Sequence, residues 1–327
     1  MELRKLQQTG GSSFTITVPK DWVEEFDLGS KKSVVITRQN NGSLVLRPGQ
    51  LGKIDQVVLI DIQGLRDREV VREIIASYLS GAEEVRIFSK ESVSGQRANV
   101  RRALRFLIGF EIVSEASNQV SIRNIFDPSK FPVLENVEKM LIMAQEMFVD
   151  AAKCIESGDQ ELALDVIDRD TEIDRLYFAV IRQFNSVISG RISEEETRSS
   201  VVEMNYYRTV AMSIERIADH AVKMTKTFDK YNKKKIVLPS KTSLMFERLL
   251  NSLDDARKMV KSLDKSLAHK ILDLGPEIEK TARESRRSGD KVSPVEVITM
   301  DSFDRIRAYL MNIAEETLDY VAMTTCG

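Results

Sequence analysis

Residues 168–174 read DRDTEID, and they lie in a stretch whose apolar residues recur at the spacing of one helix face. At about 100° per residue, Asp170 and Asp174 fall within the same stripe as the apolar side chains. The apolar members of that stripe are Val166, Ile167, Ile173, Tyr177, Val180, Ile181 and Phe184, and the residues opposite are Asp168, Glu172, Arg175 and Arg182. A helix normally keeps carboxylates off the face that it buries, and like charges four residues apart repel each other. We therefore expect a positive group beside this pair.

A second pair of carboxylates, Glu215 and Asp219, has the same spacing at the margin of another apolar stripe. That stripe consists of Tyr207, Val210, Ile214, Ile217, Ala218 and Ala221. Four facing carboxylates are destabilising unless they are protonated or neutralised. Oxygen ligands in this number suit Mg, Mn, Ca or ferric iron better than a soft-ligand metal. The alternative is neutralisation by Arg208, Arg216 and Lys223, which we expect to project away from the apolar stripe, so the pattern favours a metal.

The composition is typical of a soluble globular protein, with 42% hydrophobic and 30% charged residues among 327. This length allows two or three domains with cores of their own. The formal net charge of -2 gives no overall bias toward nucleic acid or an anionic membrane. Residues 1–50 are the only basic segment, with 7 Lys and Arg against 5 Asp and Glu.

A cytoplasmic location is expected from the N-terminus and the apolar runs. The first residues, MELRKLQQTG, lack the apolar core of a signal peptide, and no apolar run approaches the ~20 residues that span a bilayer. Two cysteines make neither a disulfide framework nor a thiolate zinc site. Cys154 is expected to be a buried small side chain and Cys326 a free thiol.

From residue 128 onward, helical periodicity replaces any strand signal. Gly158 and Asp159 read as a C-cap followed by an N-cap, and SEEE at 193–196 and SPVE at 293–296 read as capping boxes. Helices are predicted near residues 132–157, 159–188, 194–230, 240–262, 264–288 and 294–322. Short turns and one basic linker, NKKKIVLPS, connect them, so we predict a six-helix bundle.

The bundle is predicted to contain two three-helix repeats, at residues 128–230 and 231–327. ALDVIDRDTEIDRL at 163–176 aligns with AHKILDLGPEIEKT at 268–281, and SIERIADHAVKM at 213–224 aligns with SFDRIRAYLMNI at 302–313. The positions aligned with Asp170, Asp174, Glu215 and Asp219 hold Gly275, Glu279, Asp304 and Ala308. Two of the four carboxylates are missing there, so we predict one metal cluster per chain. His220 points away from Asp219 and is expected to pack rather than to bind metal.

Residues 51–127 alternate strand and helix patterns, which predicts a small α/β module. Its second helix carries Arg97, Arg101 and Arg105 in one row. A solvated face is the commonest reason for such a row, although it could also extend a DNA surface or meet an acidic partner. The sequence names no ligand for this module.

Residues 1–50 contain short β-prone runs around one short helix, a unit with too little apolar mass for a core of its own. Residues 1–48 resemble the AbrB/SpoVT family of swapped-hairpin DNA-binding domains, through LRKL, GSSFTITVPKDW, DLGSKKSVVIT and GSLVLRP. The resemblance implies a β-barrel shared by two chains. It also implies phosphate contacts on DNA by Arg4, Lys5, Lys20 and Arg38.

Residues 132–325 resemble the PhoU family of phosphate-signalling helical proteins, through the DxxxD and ExxxD motifs in RDTEIDRL and IERIADHAVKM. The resemblance implies a multinuclear iron or zinc cluster, with Mg or Mn as alternatives, held by Asp170, Asp174, Glu215 and Asp219. It also implies contacts with the ATPase of a phosphate ABC transporter or with a sensor kinase.

The chain as a whole is thus expected to be multidomain and mainly α, and to act as a dimeric, DNA-binding transcriptional regulator of phosphate homeostasis. Promoters of phosphate-uptake genes are the expected DNA. One alternative is an adaptor that uses the N-terminal barrel for dimerisation alone. Another is a metal-dependent phosphohydrolase, although the sequence has no Gly-rich phosphate loop, no GxSxG and no Cys-His pair. We expect the protein not to be an enzyme.

Overall fold

The computed structural model divides the chain into two compact units, Met1–Gln56 and Val57–Gly327. It describes residues 3–29, 32–38, 42–48, 57–90, 92–127, 130–231, 235–236, 239–287 and 293–325. Cys326 and most of the basic linker at 232–240 lie outside these residues. No helix in the described part of the chain combines the length and the apolarity required to cross a bilayer.

The first unit consists of two hairpins around a short helix. Strands β1 (Gln7–Thr9) and β2 (Ser13–Thr15) form one antiparallel pair, α1 (Lys20–Glu25) follows, and β3 (Val34–Arg38) pairs with β4 (Leu44–Pro48). None of the described side chains of this unit is buried. Its exposed large apolar residues are Leu3, Leu6, Phe14, Ile16, Phe26, Val35, Ile36, Leu44 and Leu46. The described part of a single copy therefore has no buried core of its own.

The second unit begins with the predicted α/β module. Its strands are β5 (Val57–Asp61), β6 (Glu84–Phe88), β7 (Phe110–Glu115) and β8 (Gln119–Asn124), and its helices are α2 (Asp67–Leu79) and α3 (Arg97–Leu104). The sheet order is β5-β6-β8-β7, with β5 parallel to β6 and the other pairs antiparallel. The side chains of each strand alternate between the two faces of the sheet. Alternate strand residues therefore form one apolar core together with residues of both helices.

The row of arginines on α3 is partly neutralised within the module. Arg97 donates a 2.7 Å hydrogen bond to the carbonyl oxygen of Ala116, and Arg101 pairs with Glu115 at 2.8 Å. These contacts agree with a solvated face tied to the neighbouring hairpin.

The rest of the unit is the predicted helical bundle. Its helices are α4 (Val133–Ser157), α5 (Gln160–Ile188), α6 (Glu194–Thr197), α7 (Val201–Tyr231), α8 (Ser240–Ser262), α9 (Lys265–Arg287) and α10 (Pro294–Thr325). Helix α7 packs against α4, α5 and α10, and α10 also packs against α8 and α9. One continuous core joins the two halves, and the Phe148 and Phe303 rings meet in it at 5.4 Å. Cys154 is buried in this core, as predicted.

The predicted helix at 194–230 is interrupted near its start. The capping box at Ser193 forms, but the short α6 ends at Arg198, whose φ of 56° is left-handed. Helix α7 then begins after Ser200, whose hydroxyl accepts a hydrogen bond from the Glu203 amide. Two successive serine caps explain the break, because each one offers the backbone a helix start.

Helix α5 joins the bundle to the α/β module through a buried cation. Arg182 is only 6% exposed and donates hydrogen bonds to the carbonyl oxygens of Tyr78, at 2.7 Å, and Ala82, at 2.9 Å. Asn185 adds a 2.8 Å bond to the carbonyl oxygen of Leu79. These carbonyls lie at the end of α2 and just beyond it. The Tyr78 carbonyl oxygen also accepts from the Gly81 amide at 2.9 Å, and α5 supplies the further donors at this helix end.

Candidate metal centre

The structure brings the four predicted ligands together between α5 and α7. Asp170 and Asp174 lie one turn apart on α5, and Glu215 and Asp219 lie one turn apart on α7. All four side chains are half-buried. They are held there because the neighbouring stripe residues of both helices are buried in the bundle core. The two helices thus place four carboxyl groups at one margin of the core.

Burial and mutual repulsion disfavour the charged forms of Asp170, Asp174 and Glu215. Burial, followed by the charges of Asp170 and Asp219, raises the pKa of Asp174 to about 7. Burial, followed by the charge of Asp219, raises the pKa of Glu215 to about 7. Burial and the charge of Asp219 also raise the pKa of Asp170. The group therefore favours protons or another cation near neutral pH.

One arginine supplies part of the neutralising charge. Arg216 lies 3.1 Å from Asp219 Oδ2 and 3.4 Å from Glu215 Oε2. It is exposed and so projects away from the apolar stripe, as expected, yet it still neutralises part of the acidic charge. Arg216 is adjacent to Glu215 and three residues before Asp219, so its long side chain reaches both carboxylates along the surface of α7. Lys223 instead pairs with Asp301 on α10, and Arg208 stacks over the Phe184 ring.

The donor chemistry of the group fits a hard cation. The Glu215 Oε2 atom is buried and, although the Arg216 charge lies 3.4 Å away, accepts no hydrogen bond from the described residues. An oxygen of this kind is a candidate ligand, because leaving it unsatisfied is costly. Within the described residues, however, no three Asp, Glu, His or Cys side chains converge on one point at metal-binding distances. The four carboxyl groups are close enough to repel one another, but in this conformation they do not form a coordination shell.

A cavity of about 780 Å³ opens beside Asp170 and Asp219. It is bounded by α5, α7 and the first turn of α10, and Lys223, Lys226 and Lys230 line it. Lys226 was not expected beside the acidic group. Its charge opposes part of the rise in the pKa of both Asp170 and Asp174. The signal was present in the spacing of Asp219 and the three lysines, at intervals of four, three and four residues, which is one helix face.

Comparison with known families assigns this part of the bundle. Residues 137–227, which include all four carboxylates, match the PhoU domain. These residues are similar to a PhoU domain. Residues 7–53 match the family described as antidote-toxin recognition MazE, a bacterial antitoxin, which confirms an AbrB-type unit at the N-terminus. No curated protein matches the chain.

Solved structures extend the likeness to the whole bundle. One is the phosphate transport system regulatory protein PhoU from Streptococcus pneumoniae, with 15% identity and a TM-score of 0.51 over 58% of this chain and 94% of that one. Another is PhoU from Pseudomonas aeruginosa, with 16% identity and a TM-score of 0.51 over 58% of this chain and 96% of that one. Both are covered almost completely, so the PhoU fold accounts for the six-helix architecture predicted from the sequence.

The second repeat, beyond the matched PhoU domain, fills the equivalent position differently. The thioether of Met311 packs against Gly275, where a Cβ atom would overlap its sulfur. Arg307 donates a 3.0 Å hydrogen bond to Asp304, and both side chains are largely buried. In the second repeat, Met311 therefore packs at the position aligned with Asp170, and the Arg307–Asp304 ion pair lies at the position aligned with Glu215.

His220 faces the second repeat. Its Nδ1 atom lies 3.3 Å from the Ser302 hydroxyl, and its ring lies 6.0 Å from that of Tyr309. These contacts belong to the packing of α7 on α10, which is the role expected from its position on the helix.

The four residues expected to contact DNA all lie in the first unit. Arg4 and Lys5 precede β1, Lys20 opens α1 and Arg38 ends β3, and all four are exposed. Lys20 pairs with Glu24 at 3.3 Å. They are therefore accessible, on separate elements of the MazE-type unit.

Proposed function

We propose that this protein is a cytoplasmic regulator of phosphate uptake that joins a PhoU-type bundle to a dimeric DNA-binding unit. The observation that carries the proposal is the half-buried group of four carboxyls in the PhoU domain, within a bundle that spans nearly the whole of two PhoU structures. One of those structures is a regulatory protein of a phosphate transport system. We infer regulation rather than catalysis from this likeness to a regulatory protein.

The metal step of the proposal uses Asp170, Asp174, Glu215 and Asp219. Oxygen donors of this number and charge suit Mg, Mn or ferric iron, and the PhoU resemblance adds zinc and a multinuclear cluster. A bound cation would neutralise carboxyls that repel one another and that are only partly balanced by Arg216. The four carboxylates would hold the ion, and a change in its occupancy would alter the position of α5, which carries two of them.

Helix α5 is the route from the acidic group to the α/β module. Asp174 and Arg182 lie eight residues apart on it, about 12 Å at the rise of an α-helix. Arg182 caps α2, so a change in the setting of α5 changes the anchorage of the α/β module. We propose that occupancy of the site acts on the rest of the molecule in this way.

Dimerisation through the first unit supports DNA binding. Its exposed apolar residues leave one copy without a core, and a second copy would cover them. Two copies would then present Arg4, Lys5, Lys20 and Arg38 twice, on the promoter of a phosphate-uptake gene. Partners of the bundle would be the ATPase of a phosphate ABC transporter or a sensor kinase.

A cell lacking the gene for this protein provides the functional test. Expression of phosphate-uptake genes should no longer respond to external phosphate, and the wild-type chain should restore the response. A chain with Asp170→Asn and Asp174→Asn should fail to restore it, whereas Glu172→Gln, an exposed carboxylate on the same helix, should succeed. An unchanged phosphate response in the deletion strain would contradict the proposed role.

An adaptor that does not bind DNA is the second candidate. It is favoured by the ion pair between Lys20 and Glu24, which lowers the charge available to phosphates. Labelled promoter DNA separates the two. For a DNA-binding regulator, the Arg4→Ala and Lys5→Ala double variant should weaken binding and reduce the salt dependence by about one unit per lost phosphate contact. Absence of any shift with wild-type protein at low salt would leave the adaptor.

A further inference from the structure

The cavity beside the PhoU-domain carboxylates has the size and the walls of a small-molecule site. Its volume of about 780 Å³ falls within the usual range for ligand pockets, roughly 300–1,000 Å³. One end is acidic, through Asp170 and Asp219. The opposite end runs along the last turns of α7, where the cavity becomes basic.

The basic end is a row of three lysines on one face of α7. Lys223, Lys226 and Lys230 span about 10 Å along the helix axis. Lys223 is paired with Asp301. Among the described residues, neither Lys226 nor Lys230 has an ion-pair partner, and the ammonium group of Lys230 lies 4.7 Å from the Tyr231 ring. Lys226 interacts with Asp170 and Asp174 only through the field of its charge, so both ammonium groups stay exposed to an incoming anion.

The remaining wall of the cavity is apolar and includes an exposed aromatic ring. Tyr231 is 57% exposed and Val297 is 51% exposed, and Val222, Pro294 and Ile298 complete the wall. An inorganic anion would leave this surface in water. A flat ring packed against it would gain the free energy of apolar burial.

We propose that this cavity binds an organic phosphate of the nucleotide class. The phosphate groups contact Lys226 and Lys230, and the planar base packs on Tyr231 and Val297. The carboxylates fix the orientation, because they repel phosphate from the acidic end. The site needs no metal, so it extends the proposed function without resting on it.

Calorimetric titration of the full-length, metal-stripped protein tests this site. ATP, ADP and AMP should bind, whereas adenosine and inorganic phosphate should each bind at least about tenfold more weakly than AMP. The Lys226→Gln and Lys230→Gln double variant should lose about tenfold in affinity per lysine. The matched control is Lys265→Gln, an exposed lysine of α9 away from the cavity, which should bind like the wild type.

The role of the apolar wall has its own variant. Val297→Asp should weaken nucleotide binding, and its partly exposed position on α10 should let it fold, as checked by circular dichroism. No nucleotide binding at millimolar concentration would overturn the proposal, as would full affinity in the double lysine variant. Inorganic phosphate binding as tightly as AMP would also overturn it.

An Asp170→Asn variant keeps this inference separate from the metal centre. It should lose metal and should bind AMP at least as tightly as the wild type, because a repelling charge is gone. Weaker AMP binding in this variant would contradict a lysine-based site. Failure of the metal centre alone would leave the lysine results unchanged.

Discussion

The guanidinium of Arg182 donates a 2.7 Å hydrogen bond to the carbonyl oxygen of Tyr78 and also lies 4.8 Å from the centre of the Tyr78 ring. One buried cation on α5 thereby donates to the last turn of α2 and also packs on the aromatic rings of the α/β module. Burial lowers the pKa of the guanidinium, although its carbonyl and aromatic partners and Glu83 offset part of that cost. The α/β module and the PhoU-like bundle are joined through this residue.

Replacing Arg182 with methionine should destabilise the protein strongly. Methionine keeps the unbranched aliphatic stem of the side chain but removes both guanidinium hydrogen bonds to carbonyl oxygens. The Ala82 carbonyl oxygen loses its side-chain donor, and the Tyr78 carbonyl oxygen keeps only the Gly81 amide. We expect a loss of about 2–4 kcal/mol in the free energy of unfolding, measured by urea denaturation. Arg175→Met is the matched control on the same helix, because its exposed pair with Glu172 should contribute less than about 1 kcal/mol. Equal losses in the two variants would contradict the capping role.

The stability of the metal-stripped protein should fall as pH rises from about 4 to 7. The folded-state pKa values of Asp174 and Glu215 are raised to about 7, well above those of the unfolded chain. The folded state therefore binds more protons across this range, so the stability that these groups contribute is complete below the unfolded pKa and is lost through the folded one. Thermal unfolding at several pH values measures the slope.

Amide substitutions identify the source of that pH dependence. The Asp174→Asn and Glu215→Gln double variant should show a flatter profile than the wild type, because it removes both raised carboxyls. Glu172→Gln, which removes an exposed carboxylate of α5, should keep the wild-type slope. A double variant with an unaltered profile would show that other groups are responsible.

A polar substitution in the first unit should separate the two chains of a dimer. Phe14 and Ile36 are 66% and 61% exposed in a single copy, and we expect a second copy to cover them. Phe14→Asp should therefore halve the mass measured by light scattering after size exclusion. Val113→Asp, at an exposed strand position in the α/β module, serves as the control and should leave the mass unchanged. A wild-type chain of monomer mass would refute dimerisation.

Helix boundaries and the acidic group followed from the sequence because they depend on local spacing. Apolar residues at helical intervals, together with Gly158 and the capping boxes, define helix ends to within a few residues. The positions of Asp170 and Asp174 in the apolar stripe of α5 pointed to a half-buried site, and α7 supplied the other pair. Such features are carried by neighbours three and four residues apart.

Contacts between distant segments were not visible in the same way. Arg182 lies opposite the apolar stripe of α5, a position typical of a solvated residue, yet the α/β module covers it from more than a hundred residues earlier in the chain. No feature of the sequence explains a glycine at position 275, which aligns with Asp170. The reason is its packing against Met311 of another helix.

Metal content measured against carboxylate substitution tests the central claim most directly. Protein purified without chelator should contain bound metal by elemental analysis, and chelation should lower its melting temperature. Loss of the metal is expected in a variant carrying amides at Asp170, Asp174, Glu215 and Asp219, while Glu172→Gln should retain it. Wild-type protein without metal, together with a melting temperature that neither chelator nor added Mn, Fe or Zn alters, would contradict the account.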